Sequence, residues 1–257
     1  MSIPPSIKAG DVFKLNSGAT VTVIRYESSK RVKILFPAGN TAIVDASNLR
    51  SGSIKDPMAP SVYGNGFVGL GPRKPTVNRK RTKAYMAWSE MLKRCYCPDY
   101  QAKKPTYIGC VVAPEWLNYQ NFAAWYESQP LAKEEGVQLD KDLISPGNKV
   151  YGPESCALIP SCVNSLLNDC GGARGKYPIG VTWSKFNKKF VALCSINGKQ
   201  RHIGYFECPK AAHEAYRDKK ESNVRQVAEE MKDLIGDRVY SALMKYKVSC
   251  PVYNGLV

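Results

Sequence analysis

The stretch V-Q-L-D-K-D-L-I-S-P-G-N-K-V-Y-G-P-E-S-C-A-L-I-P-S-C-V-N-S-L-L-N, Val137 to Asn168, decides how the chain is read. It opens as a short strand over Val137 to Leu139. An acidic pair, Asp140 and Asp142, and a Pro-Gly turn follow. The spacing then predicts a second strand ending near Tyr151, a Gly-Pro turn, and a helix carrying Asn164. A carboxylate and an amide aimed at one point are hard oxygen ligands, which suit Mg²⁺ or Mn²⁺ with several waters retained. Such an ion can polarise a phosphoryl group and stabilise a leaving oxygen.

Strand, turn, strand and helix with these ligands resemble the HNH (His-Me finger) nucleases, in the form found in phage homing-type endonucleases. That core reads roughly Leu-Asp-(His or Arg)-Ile-Asp, a Gly-Asn turn, then Tyr-x-Pro-Glu-Asn-Cys and a helix with a late Asn. Here L-D-K-D, G-N-K-V-Y, G-P-E-S-C and V-N keep that order. The resemblance implies a ββα-metal core in which Asp140 and Asn164 hold the metal. Lys141 falls where the active members carry the general-base His, and Ser155 stands where an Asn precedes the Cys. A protonated lysine is a poor base, so Lys141 reads as an electrostatic clamp on phosphate, and Asp142 or the metal as the activator of water. A ββα core without catalysis is the alternative, because a fold does not guarantee a chemistry.

The resemblance extends upstream. A-Y-M-A-W-S-E-M-L-K-R-C-Y, within a predicted helix from Lys83 to Tyr96, matches the helix that precedes the core in the same phage proteins. Y-I-G-C-V-V-A-P-E-W-L-N-Y-Q-N-F-A-A-W-Y matches as well, with a helix expected from Pro114 to Tyr126. Trp116, Phe122 and Trp125 are spaced for one face and read as core. Arg94 is a candidate neighbour of the scissile phosphate, since the guanidinium suits phosphate geometry; a surface charge is the alternative.

Composition bounds the partners. The 257 residues carry 37 Lys and Arg against 22 Asp and Glu, a net charge of +15. That balance predicts binding to a polyanion, with phosphate contacts supplying much of the affinity. Double-stranded DNA is the expected partner, and structured RNA stays open. Hydrophobic residues make up 44% and charged residues 23%, which fits globular domains and excludes disorder. No apolar run approaches a membrane span, the N-terminus shows no secretory pattern, and no stretch reads as a basic amphipathic helix. No small-molecule substrate is expected. With no secretory pattern, the 9 cysteines predict reduced thiols. The resemblance places the chain in the cytoplasm of a bacterial host. Structural zinc on Cys95, Cys97, Cys110 and Cys156 has weak spacing, and buried thiols are the default.

The expected class is α+β, in four stretches. Residues 1–56 alternate apolar and polar between turn signals and read as a small β-barrel, an accessory module contributing Arg25, Lys30, Arg31 and Lys33. Residues 57–82 are rich in Pro and Gly and end strongly basic. Arg73, Lys74, Arg79, Lys80 and Arg81 read as a linker lying along DNA phosphates or entering a minor groove. Residues 83–170 form the HNH-like core with its preceding helices. Cys170 to Gly175 read as a flexible joint, and residues 171–257 as a second DNA-contacting domain with C-terminal helices.

In that last domain three strands are predicted, Gly180 to Trp183, Lys189 to Ile196 and Arg201 to Tyr205. Asn197-Gly198 is a hairpin signal between the last two. A helix starts at Cys208-Pro209. Y-P-I-G-V, V-A-L-C-S-I, H-I-G-Y-F and A-A-H-E-A-Y resemble the Apetala/ethylene-response-factor DNA-binding domain from Tyr177 to about Lys220. The resemblance implies a three-stranded sheet packed on a helix that places strands in a major groove. Thr182 stands where that family usually has Arg. Trp183, Lys185, Lys188, Lys189, Lys199 and Arg201 are the candidate contacts. His202 reads as a strand residue, and His213 as a solvent-facing or core-edge residue of the helix. Glu221 to Tyr246 continues as helix, with a break expected at Gly236-Asp237.

Overall fold

The computed structural model describes residues 6–168 and 176–248. It is mixed α+β, and the chain divides into two compact units. One comprises Met1–Thr106 with Pro114–Ala124, the other Tyr107–Ala113 with Trp125–Val257. The joint expected at Cys170 to Gly175 lies outside the described residues.

The first unit opens with β1 (Val12–Lys14), β2 (Thr20–Ser28), β3 (Arg31–Leu35) and β4 (Thr41–Val44), then α1 (Ala46–Arg50). Alternation drives the sheet. Val21, Val23, Val32 and Ile34 are buried while their polar neighbours face out, and Phe36 and Leu49 complete the core. The strands pair antiparallel in sequence order, β1-β2-β3-β4. This corrects the expected barrel. Each strand pairs only with its chain neighbour, so the described sheet is an open meander and not a closed barrel. Three of its basic residues are ion-paired, two of them with the same carboxylate. Arg31 and Arg25 sit 2.9 and 3.6 Å from Glu27, and Lys30 sits 2.9 Å from Asp45.

Residues 57–82 read as a linker, yet their first part, 57–73, is held against the rest of the unit. Phe67 N–H donates to Leu117 O, and Tyr119 N–H donates back to Phe67 O, each at 2.9 Å. Buried Gln120 accepts from Arg73 N–H at 3.0 Å and donates to Val68 O and Arg73 O at 3.2 and 2.9 Å. Gly66 lies so close to Trp88 and Leu92 that a Cβ would fall 2.3 Å from a Leu92 methyl. Gly66 serves close approach here, not flexibility.

After this strap come β5 (Thr76–Val77) and β6 (Lys80–Arg81), an antiparallel pair, then α2 (Lys83–Tyr96) and α3 (Pro98–Lys103). α2 has the bounds its apolar spacing predicts. Thr82 caps it by accepting from Tyr85 N–H, and Ala84, Trp88, Met91, Leu92 and Cys95 form its buried face. β7 (Val111–Val112) belongs to the second unit. The single helix expected from Pro114 to Tyr126 is two, α4 (Pro114–Leu117) and α5 (Tyr119–Ser128). Asn118 interrupts it, bridging to Phe67.

The second unit continues with β8 (Val137–Asp140), β9 (Val150–Tyr151), β10 (Ala157–Pro160) and α6 (Ser161–Leu167). Then come β11 (Val181–Ser184), β12 (Lys189–Ile196), β13 (Lys199–Phe206), α7 (Pro209–Glu230) and α8 (Lys232–Met244). The last sheet has the order β11-β12-β13. Its core joins Ala192 and Cys194 of β12 to Ala212 and Tyr216 of α7. Asn197 and Gly198 take φ of 52° and 72°, the left-handed turn that their sequence predicts. The helical run breaks at Met231, and Gly236 (φ 70°) kinks α8. Among the described residues no helix is long and apolar enough to cross a membrane.

Candidate functional site

The Val137–Asn168 stretch forms a hairpin and a helix, with one change from expectation. β9 pairs parallel with β7, and the antiparallel partner of β8 is β10. Ala157, Leu158 and Ile159 are all buried, so this strand has no alternation to announce it. In the register Asp140 lies opposite Ala157, and Gln138 opposite Ile159.

Leu139 points into the core, and Gln138 and Asp140 therefore share the other face of β8. α6 starts directly after β10, with Ser161 N–H donating to Gly136 O at 2.8 Å. From α6, Asn164 Nδ2 donates to Gln138 Oε1. Asn164 and Asp140 thus belong to the same side of β8. Sequence reading missed Gln138, although its place two residues before Asp140 on a strand is a legible signal.

The turn after β8 is built on Asp140. Its Oδ1 accepts from the N–H groups of Asp142 and Leu143 at 3.0 and 2.7 Å, a local turn cap. Burial pushes the Asp140 carboxyl above the usual range, and the neighbouring Asp142 charge adds to this. The two N–H bonds and Lys141 oppose it without cancelling it. Lys141 is buried, with Nζ 2.5 Å from Asp142 Oδ1 and 2.7 Å from Asn148 O. Asn148 in turn brackets Val150, accepting from its N–H at 3.0 Å and donating to its carbonyl at 2.5 Å. Ser155 Oγ donates to the same carbonyl at 2.7 Å. Lys141, Asn148 and Ser155 therefore tie the two loops of the motif together. Burial lifts the Cys156 thiol to about 11, which keeps it a thiol at neutral pH.

The donor set suits a hard cation. Both turn-capping bonds to Asp140 fall on Oδ1, so Oδ2 takes no part in the cap, and Asn164 uses its amide nitrogen on Gln138. One carboxylate oxygen and one amide oxygen fit Mg²⁺ or Mn²⁺ with waters completing the shell. Among the described residues no three His, Cys, Asp or Glu side chains gather as for a metal. Cys95, Cys110 and Cys156 are buried free thiols and Cys97 is half-buried.

Arg94 lies in the last turn of α2, in the first unit, where its carbonyl accepts from Gln101 at 3.2 Å. Two further anchors of the motif come from distant sequence within the second unit. Arg238 of α8 donates to Pro153 O at 3.1 Å and to Glu154 O. Buried Lys220 of α7 donates to Leu166 O in the last turn of α6. Sequence offers no local signal for either.

The register of the last sheet sorts its candidate contacts. Trp183 pairs with Phe190, Arg201 with Cys194 and Lys199 with Ile196, and those partners all pack in the core beneath α7. Opposed residues share a face, so these three stand on the helix side, Trp183 still 39% exposed. The outer face carries Thr182, Leu193, Ser195, Gln200, His202 and Tyr205, with the His202 and Tyr205 rings 4.6 Å apart. Lys189 is on that face but 2.7 Å from Glu207. Lys185 and Lys188 lie in the exposed β11–β12 turn beside Phe186, which is 94% exposed. His213 is core: its Nδ1 is 3.0 Å from Ile179 O. No protein-family model matches this chain, and comparisons with curated proteins and with solved structures return no match.

Proposed function

We propose that the chain is a site-specific DNA endonuclease of the homing type, phage-encoded and acting in the cytoplasm of a bacterial host. The observation that carries this reading is the β8–β10 hairpin followed directly by α6, with Asp140 and Asn164 on one side of β8. Asp140 and Asn164 would hold one Mg²⁺ or Mn²⁺, which supplies charge neutralisation on the phosphodiester. Asp142 stands beside them with a half-exposed carboxylate, suited to orienting water. Lys141 keeps Asp142 in place and fixes the turn against Asn148. The positive charge of the chain and the polar outer face of the β11–β13 sheet favour double-stranded DNA as the partner.

A second reading, a non-catalytic DNA-binding protein derived from such a nuclease, is favoured by the ion pair that buried Lys141 makes with Asp142. It engages the carboxylate nearest the base position.

A nicking assay on supercoiled DNA with and without Mg²⁺ separates the two. Asp140→Ala should abolish metal-dependent nicking and leave DNA affinity nearly intact. Asp140→Asn keeps the Oδ1 acceptor for the turn, so it should stay folded and be equally inactive. Wild-type nicking that survives both substitutions removes Asp140 from the chemistry. A wild type that binds DNA and never nicks it selects the second reading.

A further inference from the structure

Between Lys74 and Lys83 the chain builds a feature that a phosphate-tracking linker does not require. β5 and β6 are joined by two residues, Asn78 and Arg79, with φ of 49° and 62°. Positive φ at both central positions defines the hairpin turn whose twist matches its strands. Asn tolerates that conformation, whereas Arg does so at a steric cost. Every residue from Thr76 to Arg81 is exposed. A bare two-stranded hairpin is marginal in water, so its order comes from its root.

That root is well pinned. Thr82 N–H donates to Pro75 O at 3.0 Å, and Thr82 Oγ1 lies 3.0 Å from the hydroxyl of Tyr119. The Tyr119 hydroxyl also reaches Lys74 O at 3.3 Å, and its ring, 1% exposed, meets Tyr85 edge-on. Arg81 lies over the Tyr85 ring at 5.8 Å. Arg81 pairs with Thr76, and Val77 with Lys80. The Arg81 face is thus turned to α2, and the Val77 face away from it. Val77 is 52% exposed at that outward position.

Lys74, Arg79, Lys80, Arg81 and Lys83 fall within ten residues, and no Asp or Glu occurs from Pro57 to Ser89. Such a run suits a polyanion. A rooted two-stranded ribbon matches the width of the DNA major groove, and the deep, narrow major groove of duplex RNA excludes it. A valine suits the thymine methyl, and an arginine suits the paired acceptors of guanine.

We propose that the β5–β6 hairpin is a base-reading ribbon for the major groove of duplex DNA. Val77 and Arg79 meet base edges, while Lys74, Lys80 and Lys83 meet phosphates. This rests on the reading that the chain binds DNA, and it adds a reader separate from the β11–β13 sheet.

The test is selection of bound duplexes from a random-sequence DNA pool, using the full chain. The variants are Arg79→Gly, Arg79→Lys and Val77→Ser. Asn-Gly is the strongest sequence for this turn, so Arg79→Gly keeps the hairpin. Wild type should enrich a motif. Arg79→Gly and Arg79→Lys should both lose about tenfold or more of discrimination at the same base position. Replacing thymine by uracil in the selected motif should weaken wild type, and should not weaken Val77→Ser further. If Arg79→Lys enriches the unchanged motif, or Arg79→Gly weakens all sequences alike, the hairpin is a phosphate clamp and the proposal falls while DNA binding stands. If wild type prefers duplex RNA or anionic vesicles to the DNA pool, both readings fall together.

Discussion

Lys141 Nζ lies 2.5 Å from Asp142 Oδ1, on the next residue of the chain, and 2.7 Å from the carbonyl of Asn148. Two of its three donors are committed to holding loops. Lys141→Ala leaves the Asn148 carbonyl unmet, at a cost of about 1–3 kcal/mol. Its Tm should fall, and nicking by the folded variant at lower temperature should persist. Lys141→His supplies a group that titrates in the useful range, and should raise Mg²⁺-dependent nicking although Tm also falls. Loss of a robust wild-type activity in both variants, each shown to be folded, would give the lysine a direct chemical role.

Arg201 and its neighbours test which side of the last sheet reads bases. Arg201 shares a face with the buried Cys194, whereas Gln200 and His202 lie on the outer face. Gln200→Ala and His202→Ala should reduce discrimination between selected and random duplexes by about tenfold, within the range for one base contact. Arg201→Ala should weaken both duplexes alike and flatten the salt slope. Competition binding at several salt concentrations checks this. Selective loss of discrimination in Arg201→Ala would move the reading surface to the helix side.

Much of the fold was legible where period or turn chemistry is local. α2 carries its apolar stripe and cap in sequence, and β12 and β13 are fixed by the Asn197-Gly198 turn. The open first sheet was not, because alternation sets a strand's faces and says nothing of whether β1 meets β4. β10 was missed because three consecutive buried residues, Ala157 to Ile159, show no alternation and look like the start of the following helix. The strap over residues 57–73 read as a linker because its partners stand far along the chain; Gln120 is 47 positions from Arg73. At the candidate site, the pattern singled out Asp140 and Asn164, which share one side of β8. The locking of Lys141 depends on Asn148, whose position only folding reveals.

The strap makes its own prediction. Gln120→Ala strips the hydrogen bonds from Arg73 N–H and from the Val68 and Arg73 carbonyls, and should cost about 1–3 kcal/mol. A Cβ at Gly71 would lie 2.4 Å from Gln120 Oε1. Gly71→Ala should therefore destabilise the wild type more than it destabilises Gln120→Ala, where the clashing amide is gone. Thermal unfolding of the four proteins of this cycle measures the coupling. Strict additivity would mean that Gln120 does not hold the strap.

The last prediction concerns acid. Glu221 of α7 is buried, with Oε2 2.7 Å from Lys247 Nζ and Oε1 accepting from Val248 N–H at 3.2 Å. Arg225 is 3.6 Å away. Burial alone would raise this carboxyl, but the bonds from Lys247 and Val248 and the two positive charges outweigh it and hold the carboxyl below its usual range. A carboxyl depressed in the folded state stabilises the fold above its unfolded value, about 4.3. That stability drains away as the pH falls through the lower folded value. Val248 also packs in the core between the last sheet and α7, so protonation of Glu221 should loosen the chain's return onto that core. Glu221→Gln keeps the shape and removes the charge. Lys247 is largely exposed, which limits the ion pair to about 1 kcal/mol, or about 2–4 °C in Tm. The variant should therefore melt a few degrees below wild type at pH 7, and the two Tm curves should converge as the pH drops below about 4. Curves that stay parallel through the acid range would show that the Glu221 charge contributes nothing to folding.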